Sequence, residues 1–98
     1  MTQFVSPFQA PRSTACFAVT ATNDPATLPR VLEVFAKLGL TPHQCHATAF
    51  GDGNSELHID LQYANMTDGE AAHLAHTLRG CFLVQSVLTS QKQERRIA

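Results

Sequence analysis

The sequence predicts an α+β domain in which four strands and two helices follow one another in the order β-α-β-β-α-β. Three observations lead to this prediction. Period-two alternation of apolar and polar residues marks the strands, a 3.6-residue apolar stripe marks the first helix, and a capping box marks the start of the second. With 98 residues, 44% of them apolar, the chain has the size of one domain with a modest core.

The first strand is predicted over residues 14–22. Phe17, Val19 and Ala21 alternate there with small or polar neighbours, as in a strand with one buried face. The apolar residues that follow fall at helical spacing and form a single stripe: Leu28, Val31, Leu32, Phe35 and Leu38.

The ends of this first helix follow from a few residues. Pro29 lacks an N–H and fits only in the first turn, so Thr27 is expected as the N-cap, with Asp24 as the other candidate. Gly39 is expected to end the helix in the left-handed conformation.

The two middle strands are predicted to form a hairpin. Residues 43–50 follow Pro42 and favour a strand, and residues 51–54 (GDGN) are typical of a hairpin turn. The third strand has the clearest alternation in the chain, with Leu57, Ile59, Leu61 and Tyr63 set against Glu56, His58, Asp60 and Gln62. One face of this strand is therefore expected to be buried, and the other to be solvated or in contact with a partner.

The second helix is predicted to begin at a capping box formed by Thr67 and Glu70. Gly80 is expected to end it, and residues 81–90 are expected to form the last strand. The helix residues expected to be buried are Ala71, Leu74, Ala75 and Leu78.

This order of elements restricts the topology. Right-handed crossovers place both helices on one face of a four-stranded antiparallel sheet whose central strands are the first and the third. The predicted architecture is ferredoxin-like. Residues 14–90 are expected to form the domain, with a flexible N-terminal arm (residues 1–13) and a polar C-terminal tail (residues 91–98).

Composition excludes several functional classes. Seven basic and eight acidic residues give a net charge of −1, which predicts neither nucleic-acid nor membrane binding. No apolar stretch approaches the roughly 20 residues that span a bilayer, and Pro7 and Pro11 interrupt the N-terminal residues, so no signal peptide is expected. Three cysteines without CxxC spacing favour a reducing compartment, by default the cytoplasm. RNA recognition is not expected either, because Phe17 is the one aromatic residue of the first strand and its register places it in the core.

Histidines are the richest source of candidate chemistry. His43 and His46 lie close to Cys45, but adjacent strand residues point to opposite faces and Cys45 and His46 cannot both bind one ion. His73 and His76 could form a weak transition-metal pair, but without a third ligand they are better interpreted as solvated surface residues. No metal or cofactor is expected.

Other catalytic arrangements are also absent from the sequence. There is no Ser/His/Asp order, GxSxG motif or P-loop, and residues 51–54 lack the spacing of a calcium loop. Cys45 and Cys81 are expected at strand positions that face the core or a subunit contact, as small buried hydrophobic residues. The chain is therefore predicted not to be an enzyme.

The first strand-to-helix turn carries a family resemblance. The run Asn23-Asp24-Pro25-Ala26-Thr27-Leu28, then Arg30-Val31-Leu32 and Gly39-Leu40, resembles the ACT domain. Further, NDPATLPRVLEVFAKLGL and the basic tail are similar to the short regulatory subunits of acetolactate synthase of the isozyme II type.

The resemblance implies a regulatory subunit without catalytic residues. Such a subunit binds and activates or stabilises the large, thiamine-diphosphate-dependent catalytic subunit of acetolactate synthase in branched-chain amino-acid biosynthesis. It also implies a homodimer with a possible branched-chain amino-acid effector at the positions that match the family turn: Asn23, Pro25, Ala26 and Leu28. Ala26 stands where the family usually has Gly, and its Cβ can crowd an effector carboxylate.

Two alternatives stay open. The turn at residues 23–27 could serve only as a helix cap, and the chain could be a free-standing amino-acid sensor acting as an ACT homodimer. His58, Asp60 and Gln62, together with the polar tail, are the candidate contacts with a partner protein.

Overall fold

The computed structural model describes residues 12–92. Its elements confirm the predicted β-α-β-β-α-β order. They are β1 (Ser13–Thr22), α1 (Thr27–Lys37), β2 (Gln44–Phe50), a 3₁₀ turn (Asp52–Asn54), β3 (Glu56–Met66), α2 (Asp68–Arg79) and β4 (Val84–Lys92). Most of the predicted arm and tail lies outside the described residues.

The four strands form one antiparallel sheet in the order β2-β3-β1-β4. Strands β1 and β3 are central, as predicted, and β2 and β4 form the edges. The β2–β3 connection is the predicted hairpin, with positive φ angles at Gly51, Gly53 and Asn54. The ferredoxin-like α+β prediction is thus confirmed.

The core lies between the helices and one face of the sheet. Phe17 of β1 and Phe35 of α1 are both 0% exposed, and their rings meet edge to face with centroids 6.1 Å apart and an interplanar angle of 84°. This geometry is a favoured one for aromatic pairs. The remaining buried apolar residues come from β1, β3, both helices and β4: Ala15, Val19, Ala21, Val31, Ile59, Leu61, Met66, Ala71, Leu74, Ala75, Leu78 and Val87.

The start of α1 differs from the prediction. The N-cap is Ala26, which supplies no side-chain cap. Thr27 is the first helical residue, is 1% exposed, and donates from Oγ1 to the carbonyl oxygen of Thr22 at 2.6 Å. The predicted Thr27 N-cap is therefore wrong, because this hydroxyl is directed into the strand-to-helix junction and not towards the next helical N–H groups.

The end of α1 is partly as predicted. Gly39 has φ +73°, the left-handed conformation that favours glycine. Leu38, however, lies beyond the last helical residue and is 47% exposed. The predicted apolar stripe therefore ends at Phe35.

The capping box of α2 is confirmed. Thr67 Oγ1 accepts from the Glu70 N–H at 3.1 Å, and Glu70 Oε1 accepts from the Thr67 N–H at 2.9 Å. The hydrogen bond from the Thr67 backbone and the nearby Arg12 guanidinium, whose Nη1 lies 3.0 Å from Glu70 Oε1, hold the pKa of the Glu70 carboxyl below its usual value. All four residues predicted to be buried on this helix are buried.

The prediction that Cys81 lies in a strand is wrong. Cys45 does lie in a strand, but it is not buried in the core, and its place at a subunit contact stays a prediction. Cys81 is not a strand residue, because its carbonyl accepts from the Val84 N–H at 3.1 Å in a tight turn that delays β4 until Val84. Cys45 lies in β2 on the side of the sheet that carries the helices, opposite Leu61, yet it is exposed like every residue of that strand. Among residues 12–92, this edge strand packs mainly against β3 and is not covered by a helix.

Candidate functional site

The β1–α1 turn, where the effector positions were predicted, is anchored to the β2–β3 hairpin by Asn23. The Asn23 backbone N–H donates to the carbonyl oxygen of Ser55 at 3.0 Å, and its side-chain Nδ2 donates to that of Asn54 at 2.8 Å. Asn23 thereby joins two loops at the same end of the sheet, and its amide nitrogen has a structural partner within the chain.

Asp24 accepts two hydrogen bonds from backbone N–H groups of the turn. Its Oδ1 accepts from the Ala26 N–H at 2.9 Å, and its carbonyl accepts from the Thr27 N–H at 2.9 Å. Short polar side chains favour such turns because they can bond backbone groups two residues on. The Ala26 N–H therefore already has a carboxylate partner within the chain.

The Ala26 backbone does not require glycine. Its φ of −85° and ψ of −12° are open to any L-residue. Ala26 also borders a shallow depression of about 400 Å³ with Pro29, Arg30 and Glu33. The opposite charges of Arg30 and Glu33 suit a zwitterion, and Ala26 and Pro29 supply its apolar lining.

The four predicted effector residues are therefore close in sequence but differ in placement. Asn23 is directed towards the hairpin, Pro25 is exposed, Ala26 borders the depression, and Leu28 packs partly against the core. Effector binding at these positions stays a prediction. Asp24, the other N-cap candidate, does not cap the helix either, because its carboxylate accepts from the Ala26 N–H in the turn that precedes α1. The Asn-Asp-Pro sequence is the signal for such a turn.

The second candidate surface is the sheet face opposite the helices, which we call the outer sheet face. Residues paired across the four strands form rows on it, because side chains of equal parity point to one side. Three rows cross all four strands from the β2 edge to the β4 edge: Thr48–His58–Thr20–Ser86, His46–Asp60–Ala18–Leu88 and Gln44–Gln62–Cys16–Ser90. A shorter row, Phe50–Glu56–Thr22, crosses β2, β3 and β1.

The chemistry of the outer sheet face is that of a contact surface. Its side chains are mostly small or hydrogen-bonding, and Leu88 is 71% exposed among them. His58 Nε2 lies 3.5 Å from Asp60 Oδ2, and both side chains are partly exposed. Three predicted partner-contact residues, His58, Asp60 and Gln62, thus share this face with an exposed apolar side chain.

The surroundings of two thiols and one imidazole do not favour a catalytic role for these groups. Partial desolvation by neighbouring atoms raises the pKa of the Cys45 thiol, although the residue is largely exposed. Desolvation also raises the pKa of the Cys81 thiol, where the Arg30 charge partly offsets the effect. Raised pKa values disfavour the nucleophilic thiolate. The ring of His43 has a structural contact, since its Nδ1 accepts from the Ala64 N–H at 3.1 Å.

The described part of the chain contains neither a metal-binding cluster nor a membrane-spanning helix. Within residues 12–92, no three His, Cys, Asp or Glu side chains are placed to hold a metal ion. Neither described helix is long and apolar enough to cross a membrane.

Comparison with known proteins agrees with this fold. The model of a family described as an ACT-like domain matches residues 9–96. The ACT domain from GTP pyrophosphokinase of Chlorobium tepidum is similar in structure, with a TM-score of 0.68 and 12% identity over 82% of this chain and 100% of that one. The C-terminal domain of the MgtC protein from Mycobacterium tuberculosis has a TM-score of 0.58 and 15% identity over 89% and 95% of the two chains. At these identities the likeness concerns the fold alone. No curated protein matches the chain.

Proposed function

The chain belongs to the ACT-like domain family, whose ACT domains are regulatory and non-catalytic, and from that premise we propose that it regulates an enzyme by binding it. The observation that carries the proposal is the outer sheet face, which no described helix covers and where Leu88 is 71% exposed beside Asp60 and His58. An exposed apolar side chain within a hydrogen-bonding surround is the arrangement of many protein contacts.

We further propose that the partner is the catalytic subunit of acetolactate synthase. The sequence of α1 and its flanking turns supports this choice, since residues 23–40 are similar to the short regulatory subunits of that enzyme. The chain would activate or stabilise the catalytic subunit, in the cytoplasm, and would supply neither cofactor nor catalytic residue.

The test combines binding with activity. We expect the chain to co-elute with its cognate acetolactate synthase catalytic subunit and to raise acetolactate production. Leu88→Asp should weaken binding about tenfold or more, because covering a leucine side chain contributes about 1.5–3 kcal/mol and 1.4 kcal/mol is tenfold in affinity.

The matched control is Phe82→Ser. Phe82 is 91% exposed but lies in the α2–β4 connection, away from the outer sheet face. Binding should be unchanged in this variant. Unaltered activity over a wide stoichiometric range would exclude the acetolactate synthase partner, and equal effects of the two variants would exclude the outer sheet face.

The alternative function is an amino-acid sensor that acts as a homodimer. The depression beside Ala26 favours it because Arg30 and Glu33 can pair with the two charges of a free amino acid. The Asp24 carboxylate opposes it by holding the Ala26 N–H.

Calorimetry with the branched-chain amino acids tests the sensor directly. Asp24→Ala should increase the heat if the carboxylate blocks the site, and light scattering should give the mass of a dimer. A thermally silent titration of both proteins would eliminate the sensor.

A further inference from the structure

A groove of about 790 Å³ lies at the end of the molecule where β1 begins. Its apolar lining comes from the α1–β2 connection, the end of β3 and α2: Leu38, Leu40, Tyr63, Met66 and Leu74. Leu38 is 47% exposed, whereas Leu74 is 1% exposed and joins the groove to the core. An occupant that covers this water-exposed apolar surface would gain about 25 cal/mol of binding free energy for each Å² removed from water.

The polar groups on the rim of this groove already bond one another. Arg12 Nη1 donates to the carbonyl oxygen of Asn65 and to Glu70 Oε1, both at 3.0 Å. Glu70 Oε1 also accepts from the Thr67 N–H in the capping box. A charged ligand would have to displace these contacts, so the groove is better suited to an uncharged apolar side chain.

Such side chains occur in the sequence just before Arg12. Arg12 lines the groove, and the residues that precede it in sequence include Phe4, Val5 and Phe8. Phe8 is four residues from Arg12, a separation that an extended chain spans with about 13 Å. The family match begins at residue 9, so residues 4–8 precede the matched part of the chain.

We propose that residues 4–8 dock in this groove, with the Phe8 ring against Leu38 and Tyr63. The segment would cover the exposed apolar lining in the same molecule. This inference is independent of the proposed function, since it concerns the opposite end of the sheet from the β1–α1 turn and does not involve the outer sheet face.

Tyr63 provides a direct probe of the groove. It is the single tyrosine of a chain without tryptophan, and it lies in the lining. Acrylamide quenching of tyrosine fluorescence therefore reports on this site alone. Phe8→Ser should raise the quenching constant about twofold, as expected when one face of an aromatic ring returns to water. Gln9→Ser, next to it, should leave the constant unchanged.

Nuclear Overhauser effects give the second measurement. In the full chain, Phe8 ring protons should show contacts with the Leu38 methyl groups and the Tyr63 ring, at the same intensity over a range of protein concentrations. Circular dichroism should be alike for both variants, because the substitutions precede β1.

Three results would overturn the proposal. Equal quenching in Phe8→Ser and Gln9→Ser, without these Overhauser contacts, would show that the segment does not occupy the groove. Protection of Tyr63 that increases with protein concentration would assign the groove to a second copy. Shifts of the Tyr63 and Leu38 resonances on titration with free leucine, equal in the full chain and in Phe8→Ser, would assign it to a small molecule.

Discussion

Substitutions at Thr27 test how the β1–α1 junction is built. This side chain is 1% exposed, and its Oγ1 lies 2.6 Å from the carbonyl oxygen of Thr22. Valine keeps the shape but removes the donor, so Thr27→Val should lower the free energy of unfolding by about 1–2 kcal/mol. Serine keeps the donor but loses a buried methyl group, which costs about 1 kcal/mol.

Aspartate distinguishes the observed role most clearly. At an N-cap, aspartate serves about as well as threonine, so Thr27→Asp would be close to neutral if Thr27 were the cap. In the buried position that the structure shows, a carboxylate would lose its hydration next to a carbonyl oxygen. We therefore expect Thr27→Asp to lower the free energy of unfolding by about 3 kcal/mol or more. Native domains have a total free energy of unfolding of about 5–15 kcal/mol, so this variant should be severely destabilised.

Urea unfolding followed by far-UV circular dichroism measures these differences. Thr41→Val is the matched control, because Thr41 is an exposed threonine in the α1–β2 connection. Its free energy of unfolding should stay within about 0.5 kcal/mol of that of the parent. A Thr27→Asp protein as stable as the parent, or a Thr27→Val protein indistinguishable from the control, would refute the buried-donor role.

Three further predictions concern the core, the second helix and the hairpin. Phe35→Ala should cost about 3–5 kcal/mol in chemical unfolding, whereas Phe82→Ala, at an exposed ring, should cost less than about 0.5 kcal/mol; similar losses would contradict the core assignment. The pKa of Glu70 is lowered in the folded state. The ionised carboxylate therefore stabilises the fold at neutral pH, and this stabilisation is lost as the pH falls through the folded-state pKa. The difference in urea midpoint between the parent and Glu70→Gln should therefore shrink in acid, and a constant difference would be the contrary result. Asn23→Ala should cost about 1 kcal/mol and speed hydrogen exchange at the Asn54 amide; unchanged exchange would show that Asn23 does not hold the hairpin.

Local patterns were sufficient to predict most of the fold. The alternation around Phe17 and Ile59 placed both residues in the core, and the Thr67–Glu70 capping box marked the start of α2. These signals depend on groups a few residues apart, so their physical cause is contained in short segments of sequence.

Predictions that depended on packing were less accurate. Cys45 alternates like a core residue, but it is exposed because β2 is an edge strand. Cys81 follows α2 in a run of apolar residues, but a turn hydrogen bond to Val84 delays the strand. Neither outcome can be obtained from periodicity, because each depends on what the rest of the chain places nearby.

The candidate site was predicted in part. The family turn at residues 23–28 could be found from its residues, and so could the polar positions of β3. The hydrogen bond between the Asp24 carboxylate and the Ala26 N–H, and the grouping of Leu88 with Asp60 on the outer sheet face, required the backbone geometry and the strand register.

The sequence by itself determined the order of the elements, the central strands and most of the buried residues of α2, because alternation, caps and glycine stops act within a few residues. The tertiary structure alone decided that Thr27 is a buried donor to Thr22, that β2 is uncovered, and that an apolar groove opens beside Arg12. Each of these depends on how distant segments meet, and the free energy of such contacts belongs to the packed chain as a whole.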